Sequence, residues 1–184
     1  MKSSIFFRVL VITMLSIGVM SCGKKDKDND NNGDNKLPDS HFQVSITGAE
    51  THDLSFTLIE GTAGDYVING SHSSTLNLMQ ITAMQLPTGW SFSIGATATS
   101  LDKGTRQMNQ SEIDRSSFNP SSTDGYISTS GSVTITKSDF FASSSGISIY
   151  YIDGNFSIEL ENPNDPDQKI TANGSFSGIA MGAS

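Results

Sequence analysis

The stretch Phe42-Gln43-Val44-Ser45-Ile46-Thr47 alternates apolar and polar side chains. Because successive side chains of a β-strand point to opposite faces of its sheet, this alternation predicts a strand with one buried and one solvated face. The same period of two recurs at Leu54 to Leu58, Trp90 to Ile94 and Val133 to Ile135. Residues 37–184 contain no convincing helical period, and the closest approach, Gln110 to Ser117, allows a single helical turn.

Turn-forming residues separate these segments at intervals typical of short antiparallel strands. They lie at Asn69-Gly70, Pro87-Thr88-Gly89, Asp124-Gly125, Asp153-Gly154, Pro163-Asn164-Asp165-Pro166 and Asn173-Gly174. Residues 37–184 are therefore predicted to form one all-β domain, either an antiparallel β-sandwich or an open β-barrel or meander. The turn spacing suits about eight short strands.

The pattern around Asp153-Gly154 leaves two arrangements open. If these two residues form a hairpin turn, Tyr151, Ile149 and Ile147 share a face with Phe156, Ile158 and Leu160 across it. If the strand runs straight, the even-numbered residues from Tyr150 to Leu160 share a face instead, and Gly154 is a bulge or a site of close approach. Either arrangement buries an apolar face.

The N-terminal residues predict a secretory signal. Lys2 and Arg8 supply positive charge, and an almost unbroken apolar segment extends from Val9 to Met20. This segment is shorter than the roughly 20 residues that a transmembrane helix needs. Cys22 follows it and is the single cysteine of the sequence, which excludes an intramolecular disulfide within these 184 residues.

Residues 23–36 contain no apolar side chain, and their four lysines and four aspartates cancel. Such a segment buries nothing against the entropy of ordering, so we expect a solvated tether. Five residues at its end fit the spacing of an EF-hand calcium loop: Asp28, Asp30, Asn32, Gly33 and Asp39. A chance match in an Asp/Asn-rich tract is the favoured interpretation, because no helical pattern flanks the loop and Asp39 replaces the usual Glu.

Charge limits the partners of the body of the chain. Residues 37–184 carry five basic and fifteen acidic side chains, a net charge of −10. This balance argues against nucleic acid and against anionic membrane surfaces as partners. The sequence contains no catalytic motif, and Gly174-Ser175-Phe176-Ser177-Gly178 has Phe176 where a hydrolase elbow has its serine.

Metal sites are considered at two places and predicted at neither. His41 and His52 lie on predicted neighbouring strands and would come together with Asp39 or Asp53; for these histidines and His72, solvent-facing positions near loops are the favoured interpretation. Near the C-terminus, three carboxylates offer oxygen ligands for calcium, but the adjacent prolines favour an ordinary turn: Glu161, Asp165 and Asp167. Glu159 and Glu161 are predicted on the solvated face of their strand.

Aromatic side chains provide no recognisable binding platform. Trp90 shares its predicted face with Phe92 and Ile94, which places it in the core. Tyr150 and Tyr151 point to opposite faces, so we expect one of them to be exposed. Tyr66 and Tyr126 lie beside turn signals.

Two parts of the chain resemble known bacterial lipoproteins. Val19-Met20-Ser21-Cys22 resembles the lipoprotein box, which implies a signal peptide over residues 1–21, lipidation of Cys22 and a tether over residues 22–36. The stretches Gly131 to Thr136, Gly154 to Leu160 and Ile170 to Ile179 resemble the ending of small Bacteroidetes lipoproteins with a β-rich domain of unknown function. In that pattern the Gly-x-Phe segment continues a strand, which favours the straight arrangement at Asp153-Gly154.

The resemblance implies a lipid-anchored protein of the outer membrane, periplasmic or surface-exposed, and the charged run after Cys22 favours the surface. We expect a non-enzymatic structural, adhesive or accessory role, with no cofactor and no metal. The alternative is a surface lipoprotein that binds a glycan or a small ligand. Its expected partners are the membrane, through Cys22, and a glycan or another envelope protein.

Overall fold

The computed structural model describes residues 38–59, 64–108, 116–120 and 125–184, which form strands and connections but no helix. The ten strands are β1 (Ser40–Gly48), β2 (His52–Leu58), β3 (Tyr66–Ser73), β4 (Leu78–Gln85), β5 (Ser91–Thr97), β6 (Gly104–Gln107), β7 (Ser117–Asn119), β8 (Tyr126–Ser144), β9 (Ile147–Asn162) and β10 (Asp165–Ala183). The prediction of an all-β fold is thus confirmed. Within these ranges no helix is long and apolar enough to cross a bilayer.

Several predicted features lie outside the described residues. They are the signal segment, Cys22, the tether, the first four positions of the EF-hand-like spacing, Asp124 and most of the Gln110 to Ser117 stretch.

One sheet contains every described strand, in the order β2-β1-β10-β3-β4-β5-β7-β8-β6, and β9 pairs with both β8 and β10. The pairs are antiparallel except for β10 and β3, where Met181 to Ala183 run parallel to Gly70 to His72. Along β1, Phe42, Val44 and Ile46 are buried while the residues between them are exposed. The period of two in the sequence is therefore the period of burial.

The core joins strands that are not hydrogen-bonded neighbours. Phe42 of β1 lies 5.4 Å from the ring of Phe156 on β9 and 5.8 Å from that of Phe92 on β5, measured between ring centroids. Phe92 and Phe156 are themselves 5.4 Å apart. These contacts connect two facing layers of strands, as in a sandwich.

Three strands are much longer than the sequence pattern predicts. β8, β9 and β10 contain 19, 16 and 19 residues, so the expectation of short strands is wrong for this part of the chain. Asp153-Gly154 lies inside β9, where Ile152, Phe156 and Ile158 are all buried. The straight arrangement is therefore confirmed.

Glycines inside the strands explain the predicted turns that do not form. Gly154 of β9 pairs with Phe176 of β10, and Gly174 of β10 pairs with Phe156 of β9. A Cβ added to Gly154 would lie 2.4 Å from Cζ of Phe176, and one added to Gly174 would lie 2.4 Å from Cζ of Phe156. Each ring thus covers the glycine of the facing strand, and the two Gly-x-Phe segments form a reciprocal pair.

Besides Asp153-Gly154, two more of the predicted turns lie within strands for this kind of reason. Asn173-Gly174 is part of β10, and Asn69-Gly70 is part of β3, where a Cβ on Gly70 would lie 2.2 Å from Sδ of Met181. The predicted turn around Pro163 does connect β9 to β10, and Pro87-Thr88-Gly89 lies between β4 and β5. The β8–β9 turn is one that the sequence pattern misses, Ser145-Gly146, with φ values of 53° and 82°.

Candidate functional site

The two histidines considered as joint metal ligands lie at opposite ends of the β1–β2 pair. His41 is opposite Thr57, and His52 is opposite Ile46. Five residues along β1 separate these positions, a distance of about 17 Å. The hypothesis of a joint site is therefore wrong, and the described ranges contain no group of three or more His, Cys, Asp or Glu residues suited to a metal ion.

His52 belongs to a polar and aromatic cluster that clamps one end of the domain. Its Nε2 donates to Oε2 of Glu50 at 3.0 Å, and its ring meets Trp90 edge-on at 4.6 Å. The hydroxyl of the fully buried Tyr126 donates to Oε1 of Glu50 at 3.1 Å. The cluster ties the β1–β2 turn to the starts of β5 and β8, and Trp90 is half-buried against the core.

His72 is buried rather than solvent-facing, which corrects the sequence interpretation. Its Nε2 donates to the carbonyl of Ala98 at 3.1 Å. The ring lines a cavity of about 450 Å³, together with Tyr150, Asp102 and several serine and threonine residues. With Nε2 engaged by a backbone carbonyl, His72 holds β3 against the segment that follows β5.

The acidic residues considered for calcium flank the two-residue turn Pro163-Asn164, with Glu161 on β9 and Asp165 and Asp167 on β10. Asp165 accepts hydrogen bonds from the backbone N–H of Asp167 at 3.3 Å and from Nε2 of Gln168 at 3.0 Å. Glu159 is exposed, as predicted, and accepts from the hydroxyl of Ser130 at 2.9 Å. These hydrogen bonds engage the carboxylates of Asp165 and Glu159 within the protein.

Tyr150 and Tyr151 point to opposite faces of β9, yet both are half-buried, so the expectation that one is exposed is wrong. Phe140 packs edge-on against Tyr150 at 5.6 Å, and Phe141 packs against Tyr151 at 5.3 Å. The phenylalanines are the exposed members of these pairs, at 60% and 48% exposure. Cross-strand aromatic pairing of β8 with β9 is not visible in either strand alone, which is why the sequence pattern misses it.

Two rows of outward-facing side chains cross six strands in register, in the order β2, β1, β10, β9, β8 and β6. The first row is Ser55, Gln43, Ser175, Asn155, Thr134 and Thr105. The second row is Asp53, Ser45, Asn173, Ser157, Ser132 and Gln107. We call these twelve residues the polar face.

The geometry of the polar face follows from the geometry of the sheet. Directly opposed side chains on neighbouring strands have Cβ atoms about 4.5–5.5 Å apart, and the two rows are separated by two residues, about 6.7 Å. Ten of the twelve side chains are exposed, and Thr134 and Ser132 are partly covered. One hydrogen bond links two members of the first row, between the hydroxyls of Thr105 and Thr134 at 2.9 Å. The rest of the row presents hydroxyl and amide groups to solvent.

Asp53 is the only charged residue of the polar face, although fifteen acidic residues lie in residues 37–184. Protein surfaces of this size typically carry a charged residue at every third or fourth position. A groove of about 340 Å³ runs along the face between β2, β1 and β10, lined by Gln43, Ser45, Asp53, Ser55, Asn173 and Ser175 among others. The face also contains no aromatic ring, so it has hydrogen-bonding capacity without stacking capacity.

In the sequence, the residues of the polar face are visible only as the outward-facing positions of separate alternating strands. Their one shared feature there is that Ser, Thr, Asn and Gln dominate these positions. The register that aligns six strands into two rows is set by β8, β9 and β10, whose length the turn signals do not predict. Comparisons with protein-family models, with curated proteins and with solved structures found no match to this chain.

Proposed function

We propose that the chain is a lipid-anchored, non-enzymatic adhesive module of the bacterial cell envelope, and that its polar face binds a neutral glycan. The observation that carries the proposal is the pair of in-register rows with a single charge among twelve residues. The lipoprotein-like N-terminus supports the anchor, with Cys22 as the lipidated residue.

The chemistry of the polar face matches that of sugar hydroxyls. Serine and threonine hydroxyls both donate and accept, and Asn and Gln amides do both through separate atoms. A neutral sugar presents the same dual groups. Phosphate and sulfate would meet no cationic side chain in these rows, and a basic peptide would meet a single carboxylate, that of Asp53. The polar face therefore favours an uncharged, polyhydroxylated ligand.

The energetics favour a polymer over a free sugar. Each hydrogen bond that replaces one to water contributes only about 0.5–1.5 kcal/mol. A single sugar engages few of them and still has to offset the loss of its translational freedom. A glycan chain that follows a row across six strands makes several such bonds at once, and many anchored copies on one surface add avidity. A flat face without an aromatic ring is therefore better suited to adhesion to an extended glycan than to capture of a single sugar.

A glycan array tests the proposal with the soluble fragment 37–184, which retains every core residue of the described chain. We expect retention on neutral glycans and none on sulfated or uronic acid glycans. The variant Gln43→Ala/Asn155→Ala removes two exposed amides from the first row. We expect it to bind about 5- to 150-fold more weakly, given the loss of about 1–3 kcal/mol.

The matched control is Asn69→Ala/Ser71→Ala, which removes two exposed polar side chains from the outer side of β3. It is expected to bind as the parent does. A lack of binding to every neutral glycan would refute the binding proposal. An equal loss of glycan affinity in the two double variants would also refute it.

A further inference from the structure

The exposed apolar side chains are concentrated at one end of the domain. We call this the hairpin end, and it comprises the Ser145-Gly146 turn with the strand ends beside it and the β3–β4 loop. Four of the six exposed large apolar residues in the described ranges lie there: Leu76, Phe140, Phe141 and Ile147. Of the other two, Ile59 follows β2, and Leu86 follows β4 at the end of that strand away from the β3–β4 loop.

The polypeptide enters β1 from the side of the sheet that faces the hairpin end. The hydroxyl of Ser40, the first residue of β1, donates to the carbonyl of Gly178 at 2.8 Å. From Gly178, β10 continues for five residues to Ala183, which pairs with Ser148 just after the Ser145-Gly146 turn. The turn therefore lies about 17 Å or more, measured along the strand, past the point where the chain enters.

Charge is divided unevenly between the two ends. At the hairpin end, three acidic residues (Asp102, Asp139, Asp153) accompany three basic ones (Lys103, Arg106, Lys137), so these described residues carry no net charge. The remaining described charges lie elsewhere in the domain and comprise eight acidic residues and Lys169, a net of −7. An anionic bilayer would therefore repel the rest of the domain more strongly than the hairpin end.

We propose that the hairpin end rests on the lipid bilayer, with the rings of Phe140 and Phe141 and the side chain of Ile147 in the interface. This inference rests on the proposed anchoring through Cys22. Exposed apolar clusters on soluble domains mark interaction sites, and aromatic rings favour the level of the lipid headgroups. Because β1 begins on the side of the sheet that faces the apolar cluster, one orientation accommodates both the anchor and the cluster.

The length of the tether allows this contact. Sixteen residues, Gly23 to Pro38, connect Cys22 to the domain. Fully extended they span at most about 55 Å. This upper limit exceeds the distance of about 17 Å by which the hairpin turn extends past the start of β1, so the hairpin can reach the membrane that holds Cys22.

The contact is tested by placing a fluorophore in it. Because Cys22 is the only cysteine, the chain from residue 22 onward can be coupled to a maleimide lipid in vesicles of phosphatidylethanolamine and phosphatidylglycerol. Coupling in vitro separates this test from the question of whether cells lipidate Cys22. The variant Phe140→Trp then reports contact through quenching by lipids with brominated acyl chains.

The chain supplies two controls for this measurement. Its only native tryptophan, Trp90, packs against His52 away from the hairpin end, so the parent protein gives the background. Leu86→Trp places a ring at a position away from the hairpin end that is 55% exposed, close to the 60% of Phe140. We expect the added emission of Phe140→Trp to be largely quenched and blue-shifted, and that of Leu86→Trp to stay unquenched. Equal quenching of the two variants, or quenching of neither, would overturn the inference.

Discussion

The substitution Gly154→Ala tests the reciprocal Gly-x-Phe pairing of β9 and β10. A Cβ at this position would lie 2.4 Å from Cζ of Phe176 and 2.4 Å from the backbone oxygen of Thr134. The ring can rotate by a small amount, but the oxygen belongs to the β8–β9 ladder and moves only with the strand. Overpacking of this kind costs about 1–3 kcal/mol, against which the loss of glycine's freedom in the unfolded chain returns about 0.5–1 kcal/mol.

We therefore expect Gly154→Ala to lower the free energy of unfolding by about 1–2 kcal/mol, with a midpoint lower by about 2–8 °C. The assay is thermal and urea unfolding followed by circular dichroism. Gly182→Ala is the matched control, because a Cβ there would lie 3.8 Å from its nearest neighbour, Cγ2 of Ile147, an ordinary contact. It is expected to be neutral or slightly stabilising. If Gly154→Ala proves as stable as Gly182→Ala, the packing argument is wrong.

Three further substitutions test the hydrogen bond of Tyr126, the exposed ion pair of Lys137 and the lipidation of Cys22. Tyr126→Phe deletes the donor to the half-buried Glu50 carboxylate and should reduce unfolding stability by about 1–2 kcal/mol in urea melts, whereas an unchanged urea midpoint would contradict the clamp at that end. The pKa of Lys137 is raised above its usual 10.5 by a hydrogen bond to Asp139 and by the negative charges of Asp139 and Asp153. The small contribution of Lys137 to stability is therefore present at neutral pH and is lost only as the pH rises past that raised pKa. Because this pair is exposed, we expect Lys137→Met to unfold at nearly the parental temperature at pH 7, and a large drop would show that the pair matters more than its exposure allows. Cys22→Ala should leave the protein uncleaved or soluble in cell fractionation, and a normally processed membrane-bound product would refute lipidation at Cys22.

Local alternation was enough to predict the fold class. The side chains of β1 are buried and exposed in the order that the sequence indicates, because a period of two has one physical meaning in an extended strand. The length of β9 could not be read in the same way. Asp153-Gly154 has the composition of a turn, and only the ring of Phe176 on another strand explains why glycine is required there.

The candidate site was less accessible to sequence reasoning than the fold. Gln43 and Asn155 are ordinary outward residues of two strands that are 112 positions apart in the chain. They belong to one row because β10 pairs with β1 on one side and with β9 on the other. Long-range register of this kind is fixed by core packing rather than by local pattern, so the polar face becomes visible only in the folded sheet.

The most direct measurement of the central claim is a titration of the ¹⁵N-labelled 37–184 fragment with a neutral glycan chain, followed by backbone amide chemical shifts. We predict that the amides with perturbed chemical shifts concentrate on the polar face, with Gln43, Asn155 and Ser175 of the first row among them. The chemical shifts of the amides in β3, β4 and the hairpin end should stay unchanged. An absence of any shift, or shifts confined to strands outside the polar face, would contradict this prediction.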